Sequence, residues 1–130
     1  DPSRMQLFGF SQGATLTWTV MLSAWDRPRF IRAAAAVSGR LMPDLLAPGA
    51  ALHTRLAPRA QLAGVPLFAS HGSADSITPV AIGRENTVNF VAYMGELGTS
   101  ALEWHEYADT DHVISTACLA DATEFLKQNA

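Results

Sequence analysis

Gly9-Phe10-Ser11-Gln12-Gly13 follows the pattern Gly-x-Ser-x-Gly, the turn that lifts a nucleophilic serine between a strand and a helix. In front of it, Met5-Gln6-Leu7-Phe8 reads as a short buried strand, and behind it Ala14 to Trp25 reads as a helix. That strand–turn–helix setting is what gives the pattern chemical meaning. Such a turn predicts a strained backbone at Ser11 and a hydroxyl standing clear of the sheet edge. The glycines on both sides are expected to leave room where strand and helix crowd together. Gln12 opens the helix, so its backbone N–H is the expected donor to a developing oxyanion. The competing reading is a plain strand-to-helix turn with a surface serine.

Outward from that turn, 130 residues are enough for one domain with a real core. The net charge of −3 comes with no basic patch, which argues against a nucleic-acid partner. Arg27, Arg29 and Arg32 cluster around Pro28 but are too few to track phosphates. Cys118 is the single cysteine, which excludes an internal disulfide framework and fits a reducing compartment, hence the cytoplasm. No stretch is long and apolar enough to span a membrane. The chain opens on Asp1-Pro2-Ser3-Arg4, without an initiator methionine or a lead-in to the strand, and is expected to be the remainder of something longer.

The rest alternates strand with helix. Residues 4–10 form the first strand, and the helix from Gly13 to about Trp25 aligns Ala14, Trp18, Met21, Leu22 and Trp25 on one stripe. Thr15, Thr19 and Ser23 make the opposite stripe, and Asp26-Arg27-Pro28 ends the helix. Ile31 to Ser38 holds four consecutive alanines, whose propensity favours helix, but its shortness and flanking breakers predict a buried strand. Residues 40–64 form a long irregular excursion with a short helix around 55–62. Val65 to Ser70 is the third strand, running into the loop His71-Gly72-Ser73-Ala74-Asp75. Thr78 and Pro79 are the expected N-cap and first-turn proline of a helix reaching about Leu97 and closed by Gly98. Its inner face is Phe90, Val91, Met94 and Leu97. Ala101 to Tyr107 is the last strand, followed by a polar loop, Ala108 to His112. A final helix from about Ser115 to Lys127 carries the stripe Leu119, Ala122, Phe125 and Leu126. This order predicts an α/β fold, a mostly parallel sheet with covering helices and a site at one sheet edge. Ser11, Asp75 and His112 each fall just past a strand end.

A serine hydroxyl needs a histidine to take its proton, and that histidine needs a carboxylate to fix its tautomer. Of the four histidines, His53 lies in the excursion, His71 is expected to brace its loop, and His105 sits inside a strand. His112, after the last strand, is the base. Asp75 is best placed as the acid. Asp111 adjoins His112, where neighbouring side chains generally point apart; Asp109 is the fallback and Asp44 a surface residue. No histidine pair has metal-ligand spacing, no phosphate-cradling loop is present, and Cys118 reads as core. No metal or cofactor is expected.

With these residues in view, the chain resembles the C-terminal half of an α/β-hydrolase. It is most similar to the carboxylesterase/phospholipase group that includes the acyl-protein thioesterases. The likeness rests on Gly9-Phe10-Ser11-Gln12-Gly13, on His71-Gly72-x-x-Asp75-x-Ile77-x-Pro79 and on the late histidine, and extends across nearly the whole chain. It implies a partial α/β-hydrolase fold lacking its N-terminal strands, with residues 1–130 as the C-terminal portion of a single catalytic domain. By the same resemblance Ser11 is the nucleophile, Asp75 the orienting acid, His112 the base and the Gln12 amide one oxyanion donor. The implied reaction is hydrolysis of a small-molecule carboxylic ester or thioester through an acyl-enzyme, with Leu41, Met42, Leu45 or Leu46 walling the acyl pocket. Two departures stand out. Relatives commonly place glycine shortly before the histidine, where Asp109-Thr110-Asp111 stands here. The glycine-rich loop that donates the second oxyanion hydrogen bond is absent, and losing one such donor can cost about a hundredfold in rate. The alternative is therefore a non-catalytic or partner-dependent piece. The bared edge of the first strand invites self-association.

Overall fold

Strand and helix alternate along the chain as β1 (Met5–Phe10), α1 (Gln12–Leu22), β2 (Ile31–Val37), α2 (Arg59–Leu62), β3 (Leu67–Gly72), α3 (Val80–Met94), β4 (Leu102–Tyr107) and α4 (Thr116–Gln128). The computed structural model describes residues 4–23, 31–42, 46, 59–95 and 102–130. Its four strands run parallel in the order β1-β2-β3-β4. Register aligns Phe10 with Val37, Val37 with Ser70, and Ser70 with His105, so the C-terminal strand ends share one edge. Among the described residues β1 pairs with β2 alone, and its outer edge carries no strand.

The alanine run forms the second strand, as its flanking breakers predict. Ala33, Ala34, Ala35, Ala36 and Val37 are all buried, because helices cover both faces of β2. A strand buried on both faces loses its polar–apolar alternation and reads as one continuous apolar run. Burial here outweighs the helical preference of alanine. On one face, Ala34, Ala36, Leu67 and Ala69 pack under Trp18, Met21 and Leu22 of α1 and Phe90 and Met94 of α3. Trp18 meets Phe90 edge-on, with ring centroids 5.4 Å apart. On the other face, Ala33, Ala35, Val37 and Phe68 pack under Cys118, Ala122 and Phe125 of α4. Small residues in the central strand let both layers approach closely.

Several boundaries and faces differ from expectation. Strand β3 starts at Leu67 and runs on through His71 and Gly72, because these two continue the ladder to Glu106 and Tyr107. Helix α3 begins at Val80 with Pro79 at the cap position, and Thr78 does not cap it. The backbone N–H of Thr78 instead donates to Asp75 Oδ1 at 2.8 Å. Val91 and Leu119 are 45% and 50% exposed, so they leave the inner faces of α3 and α4, and Asn86 and Cys118 take part in them instead. Periodicity gave the stripe but not how far round the helix the sheet covers it. Helix α3 closes at Gly95, at φ 56°, with its N–H on the Val91 carbonyl. Both helices end sooner than expected: α1 stops at Leu22, with Ser23 extended at its cap and its N–H on the Thr19 carbonyl, and α3 stops at Met94. Trp25–Pro28, Leu97–Gly98, Asp44 and His53 lie outside the described residues. Helix α2 matches residues 59–62 of the short helix expected over 55–62, and residues 55–58 lie outside the described residues. None of the helices among the described residues is long and apolar enough to cross a membrane.

The two glycines of the turn are not equivalent. A Cβ on Gly9 would collide with the Gly13 carbonyl and the Thr17 hydroxyl, so strand and helix touch there. Gly13 has nothing within 4 Å of where its Cβ would stand, which corrects the expectation that both flanks need the space. Gly9→Ala is therefore expected to destabilise by about 1–3 kcal/mol, the usual penalty of overpacking. Gly13→Ala should be neutral, or stabilising by up to about 1 kcal/mol through helix propensity. Urea denaturation of the two variants checks this, and equal losses would contradict it.

Candidate active site

The backbone at Ser11 turns to φ 57° and ψ −118°, a conformation non-glycine residues avoid. Holding it costs on the order of 1–3 kcal/mol, and three hydrogen bonds oppose that strain. Ser11 N–H donates to the Val37 carbonyl at 2.9 Å, and the Ser11 carbonyl accepts from Ala14 at 3.0 Å and Thr15 at 3.2 Å. Ser11 thus stands between the end of β1 and the start of α1 with its side chain turned out of both. Gln12, the first residue of α1, has a backbone N–H that the helix itself leaves without a partner.

The three sequence-predicted groups meet at the C-terminal edge of the sheet. Ser11 Oγ lies 2.8 Å from His112 Nε2, and His112 Nδ1 lies 2.8 Å from Asp75 Oδ2. An ionised carboxylate only accepts, so Nδ1 carries the proton and Nε2 is the acceptor for the Ser11 hydroxyl. The Asp75 side chain is fully buried and that of His112 is 15% exposed. The Phe10 ring lies 5.0 Å from the His112 ring, so the residue before the serine packs beside the imidazole.

Asp75 is held on every side. Its Oδ1 accepts the backbone N–H groups of Ile77 at 2.9 Å and Thr78 at 2.8 Å. Its Oδ2 accepts from His112 and also lies 3.2 Å from Nε2 of the buried His71. Burial pushes the Asp75 carboxyl up, but the hydrogen bonds from His112, Thr78 and Ile77, with the electrostatic attraction of the His112 ring, bring it below its ordinary value. His71 braces this loop, as expected: its Nε2–H reaches the Thr78 carbonyl at 2.6 Å.

Asp111 does turn away from the His112 ring. Its Oδ1 takes three donors instead: Ser76 N–H at 2.8 Å, Ser76 O–H at 2.8 Å and His112 N–H at 2.7 Å. Sequence reasoning passed over it, since the link to Ser76 exists only once β3 and β4 are paired. The suggested acyl-pocket residues differ in burial. Leu41 is buried in the core cluster with Trp18 and Phe90, Leu46 packs against that cluster, and Met42 is exposed. Leu45 lies outside the described residues. His105 of β4 stacks on Phe68 of β3, with centroids 4.8 Å apart, and takes no part in the site. Cys118 is core, as read.

The sequence profile of the phospholipase/carboxylesterase family matches residues 1–130, the whole chain. No curated protein sequence matches. Among solved structures, the chain is similar to esterase PE8, at 24% identity and a TM-score of 0.70, over 99% of this chain and 52% of that one. It is similar to SOBER1 of Arabidopsis thaliana, at 20% identity and a TM-score of 0.74, over 99% and 54% of the two chains. Acyl-protein thioesterase 2 of Zea mays gives 20% identity and a TM-score of 0.67, over 94% and 54%. The chain therefore has a partial α/β-hydrolase fold and spans about half the length of these structures.

The depressed value at Asp75 has a sign that can be checked. A carboxyl whose folded value lies below its unfolded one stabilises the fold above the unfolded value, about 3.9 for aspartate. That contribution fades as pH falls through the lower folded value. In Asp75→Asn an amide N–H would face His112 or His71. The variant should melt below the wild type at neutral pH, with the gap closing in acid below the ordinary aspartate range. Thermal melts from pH 7 to pH 2 measure it, and a gap independent of pH would refute the assignment.

Proposed function

Since this chain belongs to the phospholipase/carboxylesterase family, we propose that it is the catalytic portion of a serine hydrolase that cleaves carboxylic esters or thioesters through an acyl-enzyme. The observation that carries this reading is the unbroken series Ser11 Oγ, His112 Nε2, His112 Nδ1, Asp75 Oδ2, with both links at 2.8 Å. In the proposed reaction Ser11 Oγ attacks the acyl carbon while its proton passes to His112 Nε2. The negative charge that develops on the acyl oxygen is met by the Gln12 N–H at the positive end of α1. As the tetrahedral intermediate collapses, the leaving alcohol or thiol takes the proton from Nε2, and the acyl group stays on Ser11. Water repeats the sequence and releases the acid. Asp75 stays ionised throughout, holding the Nδ1–H tautomer and stabilising the imidazolium. Apolar side chains exposed on the loops that carry Asp75 and His112, Ile77 and Val113, suit an acyl substituent better than a charged one.

One observation favours a second reading, a piece that works only with a further segment or partner. The outer edge of β1, the strand that delivers Ser11, carries no strand among the described residues. An open edge of this kind pairs readily with another strand, including one from a second copy.

Labelling with a fluorophosphonate, read by mass spectrometry, tests the first reading against the second. The expected result is an adduct on Ser11 that disappears in Ser11→Ala and His112→Ala. Asp75→Asn should slow ester hydrolysis by roughly 10³–10⁴-fold through the wrong tautomer. Folded protein without an adduct would reject activity of this chain alone and leave the partner-dependent reading.

A further inference from the structure

We infer that Asp111 is a positioning residue: its carboxylate clasps the loop that carries Asp75 to the loop that carries His112, and so sets the hydrogen bonds at both ends of the imidazole. The inference rests on the functional reading above, in which those bonds move the proton. Its basis is the three donors on the single oxygen Oδ1, at 2.7–2.8 Å. Two come from Ser76, the residue directly after Asp75, and the third is the backbone N–H of His112 itself. One carboxylate oxygen therefore bonds to the chain beside each of the two groups that must stay 2.8 Å apart. These donors hold the Asp111 carboxyl below its ordinary value, the Ser76 N–H first, then the Ser76 O–H and the His112 N–H, so it remains ionised wherever the site works.

Other hydrogen bonds bring the two loops together, but they stop short of the reacting groups. Ala74 N–H donates to the Thr110 carbonyl at 3.0 Å, and Asp109 N–H donates to Ser73 Oγ at 3.0 Å. Gly72 permits the approach, since a Cβ there would strike the Thr110 carbonyl. Past Thr110 and Ala74, Asp111 is the side chain that carries the link on to Ser76 and His112. Its own carbonyl accepts Val113 N–H at 2.8 Å, which tightens the turn containing His112. Hydrogen bonds to a charged acceptor are stronger than any of these neutral contacts.

The test compares wild type, Asp111→Asn, Asp111→Ala and Ser11→Ala. Asparagine keeps an oxygen that can accept all three donors, whereas alanine keeps none. With a p-nitrophenyl ester at a temperature far below melting, Asp111→Ala should lose about tenfold to a hundredfold in kcat with KM little changed, the scale of a misplaced catalytic group. Asp111→Asn should restore most of that loss. The low-field proton resonance of His112 Nδ1–H, a readout that needs no turnover, should persist in wild type, Asp111→Asn and Ser11→Ala and broaden or vanish in Asp111→Ala. Ser76→Ala removes one of the three bonds; it should shift kcat and the resonance in the same direction by less, and it carries the test if Asp111→Ala does not fold. An unaltered kcat and resonance in Asp111→Ala, or an asparagine variant as impaired as alanine, would overturn the inference. Hydrolysis that survives Ser11→Ala, or no hydrolysis by wild type while the resonance still follows residue 111, would instead reject the functional reading and leave the clasp standing.

Discussion

A single buried carboxylate organises the site. Asp75 sits where the loop after β3 turns toward α3, and all four of its contacts hold it there: two backbone N–H groups on Oδ1 and two histidines on Oδ2. An unpaired buried carboxylate would be expensive, so the loop closes around it with Asp75 as its own internal template. The aspartate that turns this loop also fixes the tautomer of His112. Local structure and chemistry therefore depend on the same atoms, and a change at Asp75 cannot touch one without the other.

Backbone strain gathers at the same sheet edge. The three non-glycine residues with positive φ among those described are Ser11, Ser38 and Asp109, which follow β1, β2 and β4. Parallel strands must leave the sheet abruptly here to return through a helix or a long connection, and the ladder supports the first residue past β1 and past β2, while Asp109 N–H is held by Ser73 Oγ. Ser11 N–H still reaches the Val37 carbonyl and Ser38 N–H the Ser70 carbonyl, each at 2.9 Å. The sheet thus extends its hydrogen bonding by one residue into the turns and steadies the unfavourable conformations. Strain held this way keeps a serine hydroxyl fixed instead of letting it relax into the helix.

What could be read from the chain follows from the range of each interaction. Gly-x-Ser-x-Gly, the strand ends and the positions of Asp75 and His112 were legible because each depends on a few consecutive residues and on alternation. The alanines of β2 were legible as a strand from their flanks, against their own propensity. The outward turn of Val91 and Leu119 was not, since a helical stripe says which residues align and not which part of it the sheet will cover. The burial of Leu41 was not legible either, because it depends on where α1 and α3 meet. Asp111 and Ser76 are the extreme case. They are far apart in sequence, and only the pairing of β3 with β4 brings them together.

The strand order imposes a reach that the loops must satisfy. The serine leaves β1 at one edge and the histidine leaves β4 at the other, with β2 and β3 between them. Three spacings of about 4.8 Å put those strands roughly 14 Å apart, more than an imidazole side chain can cross unaided. The segment after β4 must therefore lean back over the end of β3 before it presents His112. Residues 108–111 do this, leaning on the loop of residues 73–76 through Asp109, Thr110 and Asp111 in turn. A glycine-rich approach would leave the chain free to cross but would not hold it there. Asp109 at φ 52° makes the turn, and the Asp111 carboxylate anchors its far end. The acidic run in front of His112, an oddity of the sequence, is on this account the means by which a histidine from the far strand reaches a serine three strands away.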